Sequence, residues 1–77
     1  MKNYVDVFCF HDTAGKIMPL AIQWENGIKY RIDKIKQIVP RASLKSGGQG
    51  MRYTCFIKGK PCYLFLERDG RWFIERQ

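Results

Sequence analysis

The residue pattern predicts an all-β chain, and three observations carry that prediction. Every periodic segment is short, and within these segments β-branched and aromatic residues recur with the two-residue alternation of strands. Turn signals punctuate them at close intervals: Asp12-Thr13-Ala14-Gly15, Glu25-Asn26-Gly27, Lys58-Gly59 and Asp69-Gly70. Seven strands follow, over residues 3–11, 17–24, 28–33, 35–39, 51–57, 62–67 and 71–76. At 77 residues and 45% apolar, the chain supports one folded domain, 1–77, and has no room for a second core.

Strand 3–11 carries Tyr4, Phe8 and Phe10, with Cys9 and His11 sharing its other face. Strands 17–24 and 28–33 meet at Asn26-Gly27, where register decides the turn, because a one-residue slip flips every side chain across the sheet. A two-residue loop sets Trp24 against Lys29 and Ile22 against Arg31. A three-residue loop, with Gly27 left-handed in a bulge, sets Trp24 on Ile28, Ile22 on Tyr30 and Leu20 on Ile32. The second pairing is apolar throughout and is preferred, and with it Trp24, like Trp72, is expected to be buried. Ile32, Ile35, Ile38 and Val39 also fit a short helical turn ended by Pro40, but a bulged strand is the favoured reading.

The hairpin at Lys58-Gly59 is constrained by Pro61, which has no N–H to give a ladder. A two-residue turn leaves Pro61 at a non-hydrogen-bonded position and opposes Cys55 to Cys62, Tyr53 to Leu64 and Met51 to Leu66. It requires positive φ at Lys58. The same reasoning at Arg68-Asp69-Gly70 puts Leu66 beside Trp72 and Leu64 beside Ile74. The resulting three-stranded sheet has an inner face of Met51, Tyr53, Cys55, Ile57, Cys62, Leu64, Leu66, Trp72 and Ile74. Its other face carries Arg52, Thr54, Phe56, Pro61, Tyr63, Phe65, Arg71, Phe73 and Glu75. Phe56, Tyr63, Phe65 and Phe73 make that face too aromatic for water. Strand 3–11 or a curled barrel wall covers it, a protein partner or second copy docks on it, or nucleic-acid bases stack on it.

Net charge is +7, and its distribution is uneven. Residues 29–60 hold Lys29, Arg31, Lys34, Lys36, Arg41, Lys45, Arg52, Lys58 and Lys60 against Asp33 alone, whereas the rest of the chain has five basic and six acidic residues. Such a segment favours a polyanionic partner, against the plainer reading of a solvated face kept soluble by lysines. Cys9, Cys55 and Cys62 are odd in number and contain no C-x-x-C pair, which fits reduced thiols. Cys9, His11 and Asp12 fall short of the four ligands that tetrahedral zinc requires. One histidine, dispersed carboxylates and no nucleophile with an assignable base give no catalytic constellation. The expectation is a non-enzyme without cofactor or metal. No apolar run is long enough to span a membrane, and early Asp6 and His11 argue against a signal peptide, so the expected location is cytoplasmic.

The stretch Ser43–Tyr53, SLKSGGQGMRY, holds three of the seven glycines between Lys45 and Arg52. It is no Walker motif, because a strand pattern rather than a helix begins at Met51. The amides of Gly47, Gly48 and Gly50 suit a shallow anion nest in an otherwise slack crossover. Gly47-Gly48-Gln49 matches the tripeptide of peptide-chain release factors, but Gly50-Met51-Arg52 follows where that family has His-Val-Asn.

Three segments together resemble a family of small, uncharacterised bacterial proteins, some encoded beside Y-family translesion DNA polymerases. They are Pro19-Leu20 with Trp24-Glu25-Asn26-Gly27 and Ile32-Asp33, then Ala42 to Thr54, then Tyr63-Leu64-Phe65-Leu66-Glu67 with Arg71-Trp72-Phe73-Ile74-Glu75-Arg76. The likeness spans roughly residues 17–76. It implies a small β-barrel and, through gene neighbourhood alone, a link to DNA damage tolerance; it supplies no binding residues. Together these readings predict a small SH3-like or split β-barrel built from consecutive hairpins. Its expected role is a binding module contacting nucleic acid, alongside a DNA polymerase. The alternative is a protein–protein adaptor or homodimer using the aromatic face.

Overall fold

A computed structural model describes residues 2–40 and 50–76, the side chain of Arg76 excepted. Its regular structure is entirely strand: β1 (Asn3–His11), β2 (Ile17–Gln23), β3 (Lys29–Arg31), β4 (Lys34–Pro40), β5 (Gly50–Ile57), β6 (Lys60–Glu67) and β7 (Trp72–Arg76). Arg41, Lys45, Gly47 and Gly48 lie outside the described residues.

The strands form one antiparallel sheet in the order β3-β2-β1-β7-β6-β5-β4. Taken as a ring, this order is the chain order, with β7 returning to β1. Only β3 and β4, at the two edges, follow one another without pairing. Ile32 and Asp33 alone connect them, so Arg31 and Lys34 stand at most about 11 Å apart. Edges that close force a seven-stranded sheet to curl, and the product is an up-and-down half-barrel with one unpaired seam. Asp33 fastens the corner where the seam closes. Its N–H donates to the Phe56 carbonyl at 2.9 Å, and its carboxylate accepts the Lys58 N–H at 2.9 Å.

Each turn follows from its residues. Asn26-Gly27 closes as a three-residue loop, with Gly27 at φ 83° and the Trp24 N–H donating to the Ile28 carbonyl at 2.9 Å. Ile22 then pairs with Tyr30, as the apolar register requires. Lys58 and Gly59 both take positive φ, 51° and 74°, as a two-residue hairpin with right-handed strand twist demands. Cys55 faces Cys62, Phe56 faces Pro61, and Tyr53 faces Leu64. At Gly70, φ 90°, the third hairpin sets Leu66 on Trp72 and Leu64 on Ile74.

Two bulges explain side chains that break simple alternation. Lys36 is the extra residue where β4 pairs β5, so Ile35 opposes Cys55 and Ile38 opposes Tyr53, both turned inward at a spacing of three. That bulge is why the segment also resembles a helical turn. Leu20 is the extra residue where β2 pairs β1, with Phe8 on Ala21 and Cys9 on Pro19. The bulge turns Leu20 outward, and it is 53% exposed despite its apolar partner.

The barrel interior is filled by Ile22, Tyr53, Cys55, Cys62, Leu64, Trp72 and Ile74, all buried. Tyr53 packs on Trp72 with ring centroids 5.1 Å apart and donates its hydroxyl to the Ile17 carbonyl at 2.6 Å, tying β5 to β2. A buried phenol needs such a partner, since an unmade hydrogen bond there costs about 1–3 kcal/mol. Two expectations need correction. Trp24 is only half-buried, because it follows the last residue of β2, at the rim of the barrel rather than within it. Strand β1 also does not lie across the outer aromatic face as a separate layer: it joins the same sheet between β2 and β7, pairing Tyr4 with Phe73 and Val5 with Trp72, and covers that face only through Tyr4 against the Phe73 ring.

Candidate functional site

Five of the nine candidate cations, Arg31, Lys34, Lys36, Lys58 and Lys60, border the seam where β3, β4 and the β5–β6 turn meet. Arg31 is exposed at the end of β3, next to the inward-facing Tyr30, whereas Lys29 at the other end of that strand lies with its ammonium 4.3 Å from the Phe8 centroid on the outer side of β1. Across the seam, Lys34 opposes Phe56, and the bulge at Lys36 sends its ammonium over the Phe56 ring, 5.6 Å from the centroid. Lys58 and Lys60 project from the β5–β6 turn, and the Lys58 ammonium lies 5.2 Å from the Tyr30 centroid. Asp33 is the one acid in residues 29–36 and 57–61, and its carboxylate already accepts the Lys58 N–H. The corner is therefore strongly positive without an internal counter-ion for each cation.

Beside it lies a cavity of about 450 Å³, lined by Ile22, Trp24, Tyr30, Ile57, Lys58, Lys60, Pro61, Cys62 and Ile74. Two aromatic residues and an aliphatic floor are rimmed by two lysines, and no carboxylate among the described residues lines the space. Lys58 is the sole non-glycine residue with positive φ among the described residues.

The outer aromatic face is not an open platform. Phe65 and Phe73 stack 4.8 Å apart at 9°, Tyr4 meets Phe73 edge-on at 6.0 Å, and Lys2 lies over the Phe73 ring. Phe65 and Phe73 are 2% and 1% exposed, so only Phe56 and Tyr63 of the four candidate rings retain accessible surface. Arg52 belongs to this face and is also buried, its guanidinium 4.6 Å from the Tyr63 centroid. It is not available to a solvent-side phosphate, and it leaves the set of candidate contacts. Sequence alternation places Arg52 on the outer face, but only tertiary packing tells that the face is covered.

Gly50, the described glycine of the loop, has a structural reason to be glycine. At φ 149° a Cβ there would stand 2.0 Å from the Leu66 carbonyl oxygen. The remaining polar groups near β1 and β7 serve one another. Glu67 accepts from Lys2 and, at 2.8 Å, from the Tyr4 hydroxyl, and these donors hold its carboxyl below the usual range. Asp12 accepts the N–H groups of Ala14 and Lys16, so its carboxylate closes a turn. Among the described residues no cluster of three or more His, Cys, Asp or Glu could hold a metal. Cys9, Cys55 and Cys62 are free thiols, and burial pushes the Cys55 thiol up to about 12.

The structure thus defines a small antiparallel β half-barrel with one basic, aromatic-lined mouth. No family model, curated protein or solved structure matches the chain. No helix among the described residues is long and apolar enough to cross a membrane.

Proposed function

We propose that the protein is a non-catalytic module that binds single-stranded nucleic acid at the corner formed by β3, β4 and the β5–β6 turn. The observation that carries this reading is that Arg31, Lys34, Lys36, Lys58 and Lys60 border one seam whose single acid, Asp33, already accepts the Lys58 N–H. Cations that close raise the local concentration of a polyanion and release its counterions on binding. Bases freed from a duplex find the aromatic surface at Tyr30 and Trp24 within the same mouth. The resemblance to proteins encoded beside translesion polymerases suits an accessory role near damaged DNA. Titration of labelled single-stranded DNA, single-stranded RNA and duplex at two salt concentrations tests the reading. Single strands should bind more tightly than duplex, and binding should weaken steeply with salt; no binding at low salt would end it.

A second reading has its own observation. Phe8, Phe10 and Leu20, on the outer side of β1 and β2, are 42%, 56% and 53% exposed. An adaptor or homodimer would use this patch rather than the buried Phe65–Phe73 face, and its affinity would depend little on salt.

A further inference from the structure

We infer that the cavity at the barrel mouth takes one unstacked base of the bound strand, with Lys58 and Lys60 holding the phosphate attached to it. This rests on the nucleic-acid reading and deepens it from a charged surface to a nucleotide-sized subsite. The cavity's volume, about 450 Å³, lies within the range of small-molecule sites and admits one nucleotide. Its lining divides into two chemistries. Trp24 and Tyr30 with Ile22, Ile57, Pro61 and Ile74 form an apolar interior, and among the described residues Lys58 and Lys60 supply the charges. With two lysines and no carboxylate among the described residues of the lining, an anionic group is favoured there over a cationic one. A ligand that is flat and apolar at one end and anionic at the other satisfies both halves, and a nucleotide is such a ligand.

The geometry also fixes the order of the parts. Tyr30 has the Lys58 ammonium 5.2 Å from its centroid, so Trp24, half-buried at the rim, is the ring left to receive a base. Lys58 is held at φ 51° by the turn and by its N–H to Asp33, 2.9 Å away. Its ammonium is thereby kept at the mouth instead of trailing into solvent. The sequence offers a clue to this site only in retrospect: Trp24 precedes the Asn26-Gly27 turn at a strand end, where a core tryptophan would be poorly covered.

The test uses the full chain and three probes: a twelve-residue oligothymidine, the same backbone made wholly abasic, and thymidine monophosphate. Tryptophan emission should be quenched by the oligothymidine in wild type and not in Trp24→Leu, which leaves Trp72 as the only emitter. Trp24→Leu should weaken oligothymidine binding about tenfold while leaving the salt slope unchanged. The abasic backbone should bind wild type about tenfold more weakly than oligothymidine and should bind Trp24→Leu no differently. Thymidine monophosphate, at high concentration, should quench Trp24 and compete with the oligothymidine. Equal affinity of wild type for the two backbones, with the ordinary salt slope, would overturn the subsite and leave the charged surface standing. Absence of binding by both backbones would overturn both. The backbone comparison needs no variant, so misfolding of Trp24→Leu cannot rescue the inference.

Discussion

Lys58→Asn should make the protein more stable and a poorer binder at once. Lys58 occupies the first position of a two-residue hairpin turn at φ 51°, where a non-glycine residue is disfavoured by about 1–2 kcal/mol. Asparagine tolerates that conformation far better, and Asn-Gly is the preferred pair for this turn. The gain is offset in part by the lost contact of the Lys58 ammonium with Tyr30, an exposed cation–π interaction worth about 0.5–1 kcal/mol. The N–H bond to Asp33 belongs to the backbone and survives. The expected net stabilisation is about 0.5 kcal/mol, or a rise in Tm of about 2–4 °C for a domain this size. Binding of single-stranded DNA should weaken several-fold, with the log–log salt slope reduced by about 0.7 for the lost phosphate contact. Thermal melts by circular dichroism and anisotropy titrations on the same preparation read both effects. A less stable variant that binds as well as wild type would refute the reasoning on both counts.

Three further outcomes follow from the packing. Trp72→Ala removes a buried ring packed at a tilt against Tyr53 and should cost about 3–5 kcal/mol, enough to leave so small a domain largely unfolded in urea titrations; a wild-type-like cooperative melt would show the register to be wrong. Gly50→Ala drives a Cβ into the Leu66 carbonyl, but Gly50 starts β5 and its pair with Glu67 can fray, so the loss should be about 1–2 kcal/mol by the same assay. Stability should also fall in alkali. The folded Cys55 thiol is raised to about 12, so its contribution is intact below about pH 9 and is lost as pH rises toward 12, at no more than about 1.4 kcal/mol per pH unit. Cys9 and Tyr53 shift the same way through burial. Urea midpoints at pH 8 and pH 10 check this, and Cys55→Ala should flatten the dependence.

Much of the fold is legible locally because the strongest constraints on a hairpin are local. Gly27, Gly70 and the Lys58-Gly59 pair each allow few turn geometries, and apolar pairing then selects the register. Pro61 forbids the alternatives for the central hairpin. What is not legible depends on the curl. Nothing in residues 3–11 says whether they lie across a face or join the sheet, and the answer comes from the pairing of Val5 with Trp72 across 67 positions of chain. The charge asymmetry of residues 29–60 gives the sign of the candidate site but not its membership. Arg52 alternates outward yet is buried, whereas Lys58, far from β3 in sequence, reaches the Tyr30 ring across the seam. Trp24 reads as core because tryptophan is large and apolar, and its place at the rim appears only once the seam between β3 and β4 is located.

A salt series of single-stranded DNA binding should therefore compare wild type with the triple variant Lys34→Ala/Lys58→Ala/Lys60→Ala and with Arg52→Ala, each by fluorescence anisotropy. If the corner is the phosphate footprint, the triple variant should bind weakly at low salt and lose about 2 units of slope, near 0.7 for each of three contacts. Arg52→Ala should melt earlier, because it vacates a covered face, yet retain the wild-type slope below its transition. A triple variant with unaltered slope, or an Arg52→Ala variant that loses it, would contradict the assignment of this corner as the binding site.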